Sequence, residues 1–269
     1  VFDCSSGMIA SPGAPIRDHE RFGILSFPGV IIHSSNVGTV MIGRRVGPGT
    51  MFRTIRAFGF GERTGIELPA ESSGIVHSPD RWTRRSIDSI SIGYEVSVTP
   101  LQVLQAANVV ANGGVRVPPR IIKSLRDPAG GRPSPSGPEP PFLSAATVDH
   151  LVEILERVVS EGTGRPAAIP GYSIAGKTGT TQLLDPATRS FSSQRHLGTF
   201  VGFVPARDPV LSIIVVLDAP HSEVYYGGQV AAPAFREIAV RTLRYLGIPP
   251  QAAPARSIIA LNAPRGERP

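Results

Sequence analysis

The chain has 269 residues, of which 41% are hydrophobic, enough to fill the core of one large domain or two small ones. Its net charge of +6 raises nucleic acid as a partner, but lysine occurs only twice and the arginines are scattered, with no run longer than the pairs Arg44-Arg45 and Arg84-Arg85. Cys4 is the single cysteine, which excludes a disulfide framework and a multi-cysteine metal site. We therefore expect no nucleic-acid partner, no metal and no cofactor.

The first part of the chain predicts loops followed by two helices. Residues 1–33 are rich in Gly, Pro and Ser, and the cluster Asp18-His19-Glu20 among them is interpreted as a surface loop, because adjacent side chains point in different directions. Residues 37–42 predict a short apolar helix that ends near Gly47. Residues 48–58 predict a second helix, because their apolar residues recur close to helical spacing.

Two longer helices have clear start signals. Thr99-Pro100 predicts the first, because threonine caps helix N-termini and proline is tolerated at the first helical position. Its predicted buried face is formed by Leu101, Leu104, Ala107 and Val110. Ser144 is predicted to cap the second. Its predicted buried face is formed by Val148, Leu151, Val152, Leu155, Val158 and Val159. Between them, residues 127–141 contain six prolines and three glycines and predict an exposed, irregular loop.

The second half of the chain is rich in short β-prone runs bounded by turn residues. Strands are predicted at 172–177, 197–204 and 210–217, and the last two are expected to form an antiparallel hairpin. A polar connection from Gln182 to His196 is expected to overhang the end of the first strand.

A final amphipathic helix is predicted from Pro233, and residues 248–269 predict a Pro/Ala/Arg-rich tail or linker. Helices first, then antiparallel strands closed by a helix, predict an α+β fold over residues 1–247. In such a fold an antiparallel sheet is flanked by helices and joined by a helical lobe.

Two triplets contain the candidate functional residues of the sequence. Lys177-Thr178-Gly179 follows a strand-like run, and Ser34-Ser35-Asn36 directly precedes a predicted helix. Taken singly, the first is more simply interpreted as a solvated surface lysine and the second as a helix N-cap or turn. Together they match two of the three motifs of the penicillin-interacting serine enzymes, S-x-x-K, S-x-N and K-T-G. The third motif is missing, since Arg120 and Ile174 stand three residues before the two lysines.

Beyond the triplets, the sequence resembles the transpeptidase domain of class B penicillin-binding proteins over nearly its whole length. The matching segments are, in chain order, Ser34-Ser35-Asn36-Val37-Gly38, Phe58-Gly59-Phe60-Gly61, Thr64-Gly65-Ile66-Glu67-Leu68-Pro69-Ala70-Glu71, Ser91-Ile92-Gly93-Tyr94, Val98-Thr99-Pro100-Leu101-Gln102, Ala111-Asn112-Gly113-Gly114, Gly162-Thr163-Gly164, Gly176-Lys177-Thr178-Gly179-Thr180, Phe200-Val201-Gly202-Phe203-Val204-Pro205, Tyr226-Gly227-Gly228 and Ala231-Ala232-Pro233-Ala234-Phe235. The Ser-Ser-Asn form, the Gly-Tyr segment and the Tyr-Gly-Gly ending are most similar to the division-specific branch. The resemblance implies a serine β-lactamase/DD-transpeptidase-like fold.

The resemblance also implies catalytic roles. Enzymes of this class attack a D-alanyl-D-alanine peptide bond with a serine, form an acyl-enzyme and pass the acyl group to an amine of a neighbouring stem peptide. Ser34 matches the serine that relays a proton toward the leaving amine. Asn36 matches an amide that hydrogen-bonds the substrate and the catalytic lysine. Lys177 matches the cation that holds Ser34 in place and lies near the substrate carboxylate.

Three further positions match substrate-binding residues of the family. Thr178 and Thr180 match hydroxyls that bind the substrate carboxylate, and the Thr180 N–H matches half of the oxyanion hole. Gly179 matches a glycine that lets the acyl carbonyl approach the strand. Ser35 has no catalytic role in this comparison.

The missing S-x-x-K motif is the one departure from the family pattern. In the family, this motif lies well ahead of S-x-N, so we expect it upstream of Val1 in a longer protein. On that expectation the fold is incomplete at its N-terminus and the 269 residues alone are inactive.

The leading hypothesis is therefore a serine DD-transpeptidase of septal cell-wall synthesis. Its expected partners are stem peptides, β-lactams, division-complex proteins and a peptidoglycan glycosyltransferase. The expected location is the extracytoplasmic face of the bacterial membrane, through an upstream anchor. One alternative is a non-catalytic peptide-binding or scaffolding module of the division machinery. Another is a β-lactamase or β-lactam sensor, which the long match outside the triplets disfavours.

Overall fold

In the computed structural model, the described residues are 1–123, 140–185, 190–220 and 225–250. Most of the predicted loop at 127–141 lies outside these ranges. So do residues 251–269 of the predicted tail.

The described ranges contain seven α-helices, two short 3-10 turns and nine strands. The helices are α1 Phe27–His33, α2 Asn36–Val46, α3 Pro48–Ala57, α4 Ser86–Ser91, α5 Pro100–Ala111, α6 Ala145–Ser160 and α7 Gly227–Tyr245, and the turns are Pro79–Arg81 and Arg165–Ala167. The strands are β1 Phe2–Asp3, β2 Met8–Ile9, β3 Ile16–Arg17, β4 Ile24–Leu25, β5 Ile75–Val76, β6 Val96–Ser97, β7 Ala175–Leu184, β8 Phe191–Val204 and β9 Leu211–Asp218.

The main sheet is antiparallel, with the strand order β7-β8-β9. Its register pairs Lys177 with Val201 and Val201 with Ile214. The predicted hairpin of β8 and β9 is confirmed. The predicted bounds of β7 were wrong, because it starts at Ala175 and continues to Leu184, with a register shift after Gln182. The polar stretch that we expected to overhang the sheet therefore mostly extends β7 and β8.

The prediction that residues 1–33 form loops was wrong. They form two pairs of very short antiparallel strands, β1 with β4 and β2 with β3, followed by helix α1. Ser26 caps this helix, and Pro28 occupies its first turn. The helix was missed because its seven residues are too few to establish a periodic pattern.

The helices α2, α3, α5 and α6 were predicted close to their observed bounds. Thr99 and Gln102 form a capping box at the start of α5, and Ser144 caps α6 as expected. The predicted buried face of α6 is largely confirmed. That of α5 was partly wrong, since its buried residues are Gln102, Gln105, Val109 and Val110. The polar side chain of Gln102 tolerates burial because its amide donates hydrogen bonds to the carbonyls of Glu62 and Ser73.

Helix α7 starts six residues earlier than predicted. It begins at Gly227 and carries Pro233 in its interior, so the proline does not mark the helix start. Its buried side packs on one face of the sheet, where the rings of Phe200 and Phe235 meet edge-to-face at 4.7 Å. Helices α5 and α6 cover the other face, around Phe203 and Ala175. The sheet thus lies between helices, and the α1–α4 lobe lies beyond the free edge of β7.

Candidate active site

A cleft of about 850 Å³ runs between the free edge of β7 and the α1–α4 lobe. Its walls are formed by Arg17, Asp18, His19, Ser34, Asn36 and Thr39 from the lobe, by Ser91, Ile92, Gly93 and Tyr94 after α4, by Thr163 and Pro166, by residues 177–182 and His196 of the sheet, and by Tyr225, Tyr226, Gly228 and Gln229 near α7. All of the predicted site residues lie in this cleft.

Ser34 stands at a sharp junction between two helices. It has a left-handed backbone (φ 57°), and its N–H donates to the carbonyl of Ile31 at 3.2 Å, which ends α1. A left-handed serine is uncommon, and such strain persists only when neighbouring structure holds it. The next residue, Ser35, donates its N–H to the carbonyl of Val30 and is the N-cap of α2. The junction therefore projects the Ser34 side chain from a fixed backbone.

Ser35 faces the protein interior and is fully buried. Its hydroxyl accepts the N–H of Gly38, which makes it the N-cap of α2, and donates to Asp18 Oδ2 at 2.8 Å. Asp18 Oδ1 accepts the N–H of Val37 at 3.0 Å. Asp18, His19 and Glu20 do lie outside the helices and strands, as predicted, but Asp18 is half-buried and holds the start of α2. Among the residues described, no group of three or more His, Cys, Asp or Glu side chains is placed to hold a metal ion.

Asn36 is held by the same segment. Its Nδ2 donates to the carbonyl of Arg17 at 2.8 Å. Two consecutive residues, Arg17 and Asp18, thus hold Ser35, Asn36 and Val37 by one hydrogen bond each. Sequence reasoning had no signal for this contact, because it joins residues about 17 positions apart through an irregular segment.

Lys177 lies across the cleft from the serine triplet. Its ammonium donates to Ser34 Oγ at 2.8 Å and to the carbonyl of Thr178 at 3.1 Å. The predicted proximity of the two side chains is confirmed. Within the described ranges no carboxylate lies in ion-pair distance of this ammonium. Burial lowers the pKa of Lys177 from its ordinary value of 10.5 to about 8.

Two threonines continue the wall beside the lysine. Thr178 Oγ1 lies 2.8 Å from Thr163 Oγ1, so the hydroxyl is shared with the segment that follows α6. Thr180 Oγ1 accepts the N–H of Gly227 at 3.0 Å, which is the first residue of α7. The positive end of the dipole of this 19-residue helix therefore lies beside Thr180.

Glycines bring α7 against the sheet. A Cβ on Gly227 would lie 2.2 Å from the carbonyl oxygen of Gly179, and one on Gly228 would lie 2.4 Å from that of Thr163. A Cβ on Gly179 would lie 2.4 Å from Thr199 Oγ1 on the neighbouring strand. The close approach at Gly179 in this structure is thus to strand β8.

Aromatic side chains form part of the cleft lining. The imidazole of His196 stacks on Tyr225 at 3.7 Å, and Tyr225 stacks on Tyr226 at 4.7 Å. His196 is only 5% exposed, and its Nδ1 has no hydrogen-bond partner among the described atoms. Across the cleft, the hydroxyl of Tyr94 accepts the N–H of Gln182 at 3.3 Å. None of these contacts was predicted.

The arrangement suits a carbonyl substrate with a carboxylate. A hydroxyl held against an ammonium can relay a proton, because the cation stabilises the developing alkoxide. The ammonium, the threonine hydroxyls and the N-terminus of α7 are all groups that can bind a carboxylate. The free edge of β7 has backbone groups that an extended peptide can pair with.

An α+β sheet between helices, with S-x-N facing K-T-G across a cleft, defines the serine β-lactamase/transpeptidase class of folds. Within it, the chain belongs to the family described as "Penicillin binding protein transpeptidase domain", which matches residues 1–239. The predicted resemblance to class B penicillin-binding proteins is confirmed.

Individual relatives agree with this assignment. The chain is 40% identical over 254 residues to penicillin-binding protein PbpB of Mycolicibacterium smegmatis, covering 90% of this chain and 39% of that protein. It is 32% identical over 245 residues to the probable peptidoglycan D,D-transpeptidase PbpC of Pseudomonas aeruginosa, covering 91% and 41%. The crystal structure of penicillin-binding protein 3 from Mycobacterium tuberculosis, complexed with ampicillin, matches with a TM-score of 0.83 at 35% identity, covering 93% and 57%.

The chain spans about two fifths of the length of the curated relatives it matches. Among the residues that the structure describes, no helix is both long and apolar enough to cross a membrane.

Proposed function

We propose that this chain supplies the proton-relay and substrate-binding walls of a serine D,D-transpeptidase that cross-links peptidoglycan. The observation that carries the proposal is the 2.8 Å hydrogen bond from Lys177 Nζ to Ser34 Oγ. It joins the S-x-N and K-T-G motifs in one cleft and gives the hydroxyl a cationic neighbour. The substrate is a stem peptide that ends in D-alanyl-D-alanine.

The reaction has two acyl transfers. In the first, a serine hydroxyl attacks the carbonyl carbon of the penultimate D-alanine, an ester forms, the peptide C–N bond breaks and the leaving amine gains a proton. In the second, an amine of another stem peptide attacks the ester, a new amide forms and the serine regains its proton. The nucleophile would be the serine of an S-x-x-K motif, which these 269 residues do not contain.

Ser34 is placed to relay the proton to the leaving amine. Its hydroxyl accepts a hydrogen bond from Lys177, so its own proton is free to be donated, and the ammonium stabilises the oxygen that remains. Asn36 orients the peptide, since its Oδ1 is left to accept a hydrogen bond while Nδ2 is held by Arg17. We therefore assign Ser34, Asn36, Lys177 and Thr180 to catalysis.

The terminal carboxylate of the donor binds beside Lys177. Thr178 and Thr180 supply hydroxyl donors, and the N-terminus of α7 lies next to Thr180. Gly179 lies between them on the same strand. The peptide backbone pairs with the free edge of β7, which brings its carbonyl to the Thr180 N–H as one donor of the oxyanion hole.

We further propose that the protein acts at the extracytoplasmic face of the cell membrane, in septal synthesis. Its partners there would be division-complex proteins and a peptidoglycan glycosyltransferase, and β-lactams would be its inhibitors. The support for this is the family itself, whose named members include penicillin-binding proteins and probable peptidoglycan D,D-transpeptidases.

The test is covalent labelling by a penicillin, followed by mass spectrometry of the intact protein. We expect the full-length natural protein to form a one-to-one adduct and the 269-residue chain alone to form none. Labelling of the short chain, or no labelling of the full-length protein, contradicts the proposal. In the latter case, retained binding of a D-Ala-D-Ala peptide would favour a non-catalytic peptide-binding module.

A further inference from the structure

The cleft carries more positive charge than one carboxylate needs. Lys177 and Arg17 both line it, and Asp18 is the single acidic residue among the described lining residues. Both carboxylate oxygens of Asp18 are already bound, one to the hydroxyl of Ser35 and one to the N–H of Val37. Asp18 is therefore a poor partner for an arginine in the cleft.

The backbone of Arg17 is held by hydrogen bonds, whereas its side chain has no partner among the described residues. It ends β3, where it pairs with Met8, and its carbonyl accepts the amide of Asn36. Its side chain is exposed and forms no hydrogen bond or ion pair with the described part of the chain. The nearby Glu20 does not line the cleft and lies 3.8 Å from His19. Arg17 thus lines the cleft next to the S-x-N motif, with a side chain that has no partner among the described residues.

We infer that Arg17 binds a second carboxylate of the peptide ligand, distinct from the C-terminal carboxylate assigned to Lys177. This inference rests on the proposed function, since it takes a D-alanyl-D-alanine peptide as the ligand. Lys177 cannot serve both groups, because its ammonium is already shared by Ser34 and Thr178. A guanidinium fits a carboxylate by two parallel hydrogen bonds and keeps its charge at any physiological pH. The second carboxylate belongs to a side chain that precedes the terminal dipeptide.

Arg17 would then make the site selective for acidic over amidated stem peptides. Amidation replaces the carboxylate by a neutral group of nearly the same shape. The affinity that it removes is therefore that of the charged contact with Arg17. Because Arg17 is exposed, the selectivity decreases with added salt.

The test uses two acetylated peptides that differ only in this charge, Glu-D-Ala-D-Ala and Gln-D-Ala-D-Ala. Their dissociation constants are measured by calorimetry with the full-length natural protein. We expect the acidic peptide to bind about three- to tenfold more tightly, and Arg17→Gln to abolish that preference. Arg17→Lys should retain part of it. The matched control is Arg21→Gln, because Arg21 is an exposed arginine of the same segment that does not line the cleft.

Equal affinities of the wild-type protein for the two peptides, or an undiminished preference in Arg17→Gln, would overturn the inference. So would equal losses for both peptides, which indicate a general structural effect. Penicillin labelling of the same preparations separates the two proposals. Labelling with no peptide preference rejects only the role of Arg17, whereas a missing adduct rejects the transpeptidase.

Discussion

Ser34 Oγ and Lys177 Nζ are joined by a 2.8 Å hydrogen bond, although 143 positions separate the two residues in the chain. The serine is presented by a left-handed junction between α1 and α2, and the lysine by an edge strand. Together they provide a hydroxyl whose oxygen is stabilised by a cation, which is what proton relay to a leaving amine needs.

Lys177→Ala should slow penicillin acylation of the full-length protein severely. Losing an electrostatic stabiliser at a reacting centre typically costs about 2.7–4 kcal/mol, or about 10²- to 10³-fold in rate. The measurement is the second-order rate constant of adduct formation. Lys123→Ala is the matched control, because Lys123 is the other lysine and is exposed outside the cleft. An unchanged rate in Lys177→Ala would refute the assigned role.

Binding of a D-Ala-D-Ala peptide should weaken as the pH rises through about 8. The pKa of Lys177 is lowered to about 8, so the ammonium that attracts the carboxylate is lost there. Calorimetric titrations from pH 6.5 to 9.5 measure the effect. In Lys177→Met, the affinity for the peptide should be lower than in the wild-type protein and should not change with pH over the same range.

The lowered pKa of Lys177 affects folding in the opposite direction from peptide binding, because it makes the protein more stable as the pH rises. A lowered lysine pKa means that the folded state loses its proton first, so the free energy of unfolding should rise between about pH 8 and 10.5. Urea denaturation at pH 7.5 and 10 checks this. The Lys177→Met variant should lack this contribution to the rise, and an identical rise in both proteins would contradict the prediction.

Asp18→Ala should destabilise the protein by about 1–2 kcal/mol, because it removes two hydrogen bonds at the start of α2. Asp18→Asn should cost less, since an amide oxygen can still accept one of them. Chemical denaturation gives the values. Glu20→Ala is the control, because the Glu20 side chain is 64% exposed. Equal effects of Asp18→Ala and Glu20→Ala would show that Asp18 does not hold the helix.

Gly227→Ala should destabilise the protein and impair peptide binding. Its Cβ would overlap the carbonyl oxygens of Gly179 and Thr199, so α7 must move away from Thr180. Gly49→Ala is the control, because Gly49 also lies in the first turn of a helix and the nearest atom to its added Cβ would be 3.5 Å away. Melting temperature and peptide affinity are the readouts, and a normal affinity in Gly227→Ala would count against the model of the site.

His196→Phe should leave stability unchanged or raise it by about 1 kcal/mol. Nδ1 is a buried polar atom without a partner among the described atoms, so it carries a desolvation cost, and phenylalanine keeps the stacking on Tyr225. Thermal unfolding is the measurement. A loss of more than about 1 kcal/mol would contradict the prediction, because it would show that Nδ1 has a hydrogen-bond partner in the folded protein.

The parts of the fold predicted well are those with local signals. Thr99 and Ser144 fixed the starts of α5 and α6, because capping depends on residues within one helical turn. The start of α7 was misplaced at Pro233, because a proline signal was weighted above Gly227-Gly228, whose role is a tertiary contact.

The site was predicted to a similar extent. Ser34, Asn36 and Lys177 were found as motifs, and the first and last of them do meet. Asp18 and His196 were not, because their importance comes from contacts that form only in the folded chain. A pattern of neighbouring residues cannot reveal which irregular segment will lie beside a helix N-terminus.

The position of the cleft between β7 and the α1–α4 lobe has a thermodynamic consequence. A ligand that touches both Ser34 and Lys177 binds only while the two walls of the cleft are in place. Binding therefore lowers the population of every unfolded or partly unfolded state in which the walls have separated. At 100 times its dissociation constant, such a ligand adds about 2.7 kcal/mol to the free energy of unfolding. Protection from proteases and slower amide exchange in α2 and β7 would therefore report occupancy of the cleft without any chemical step.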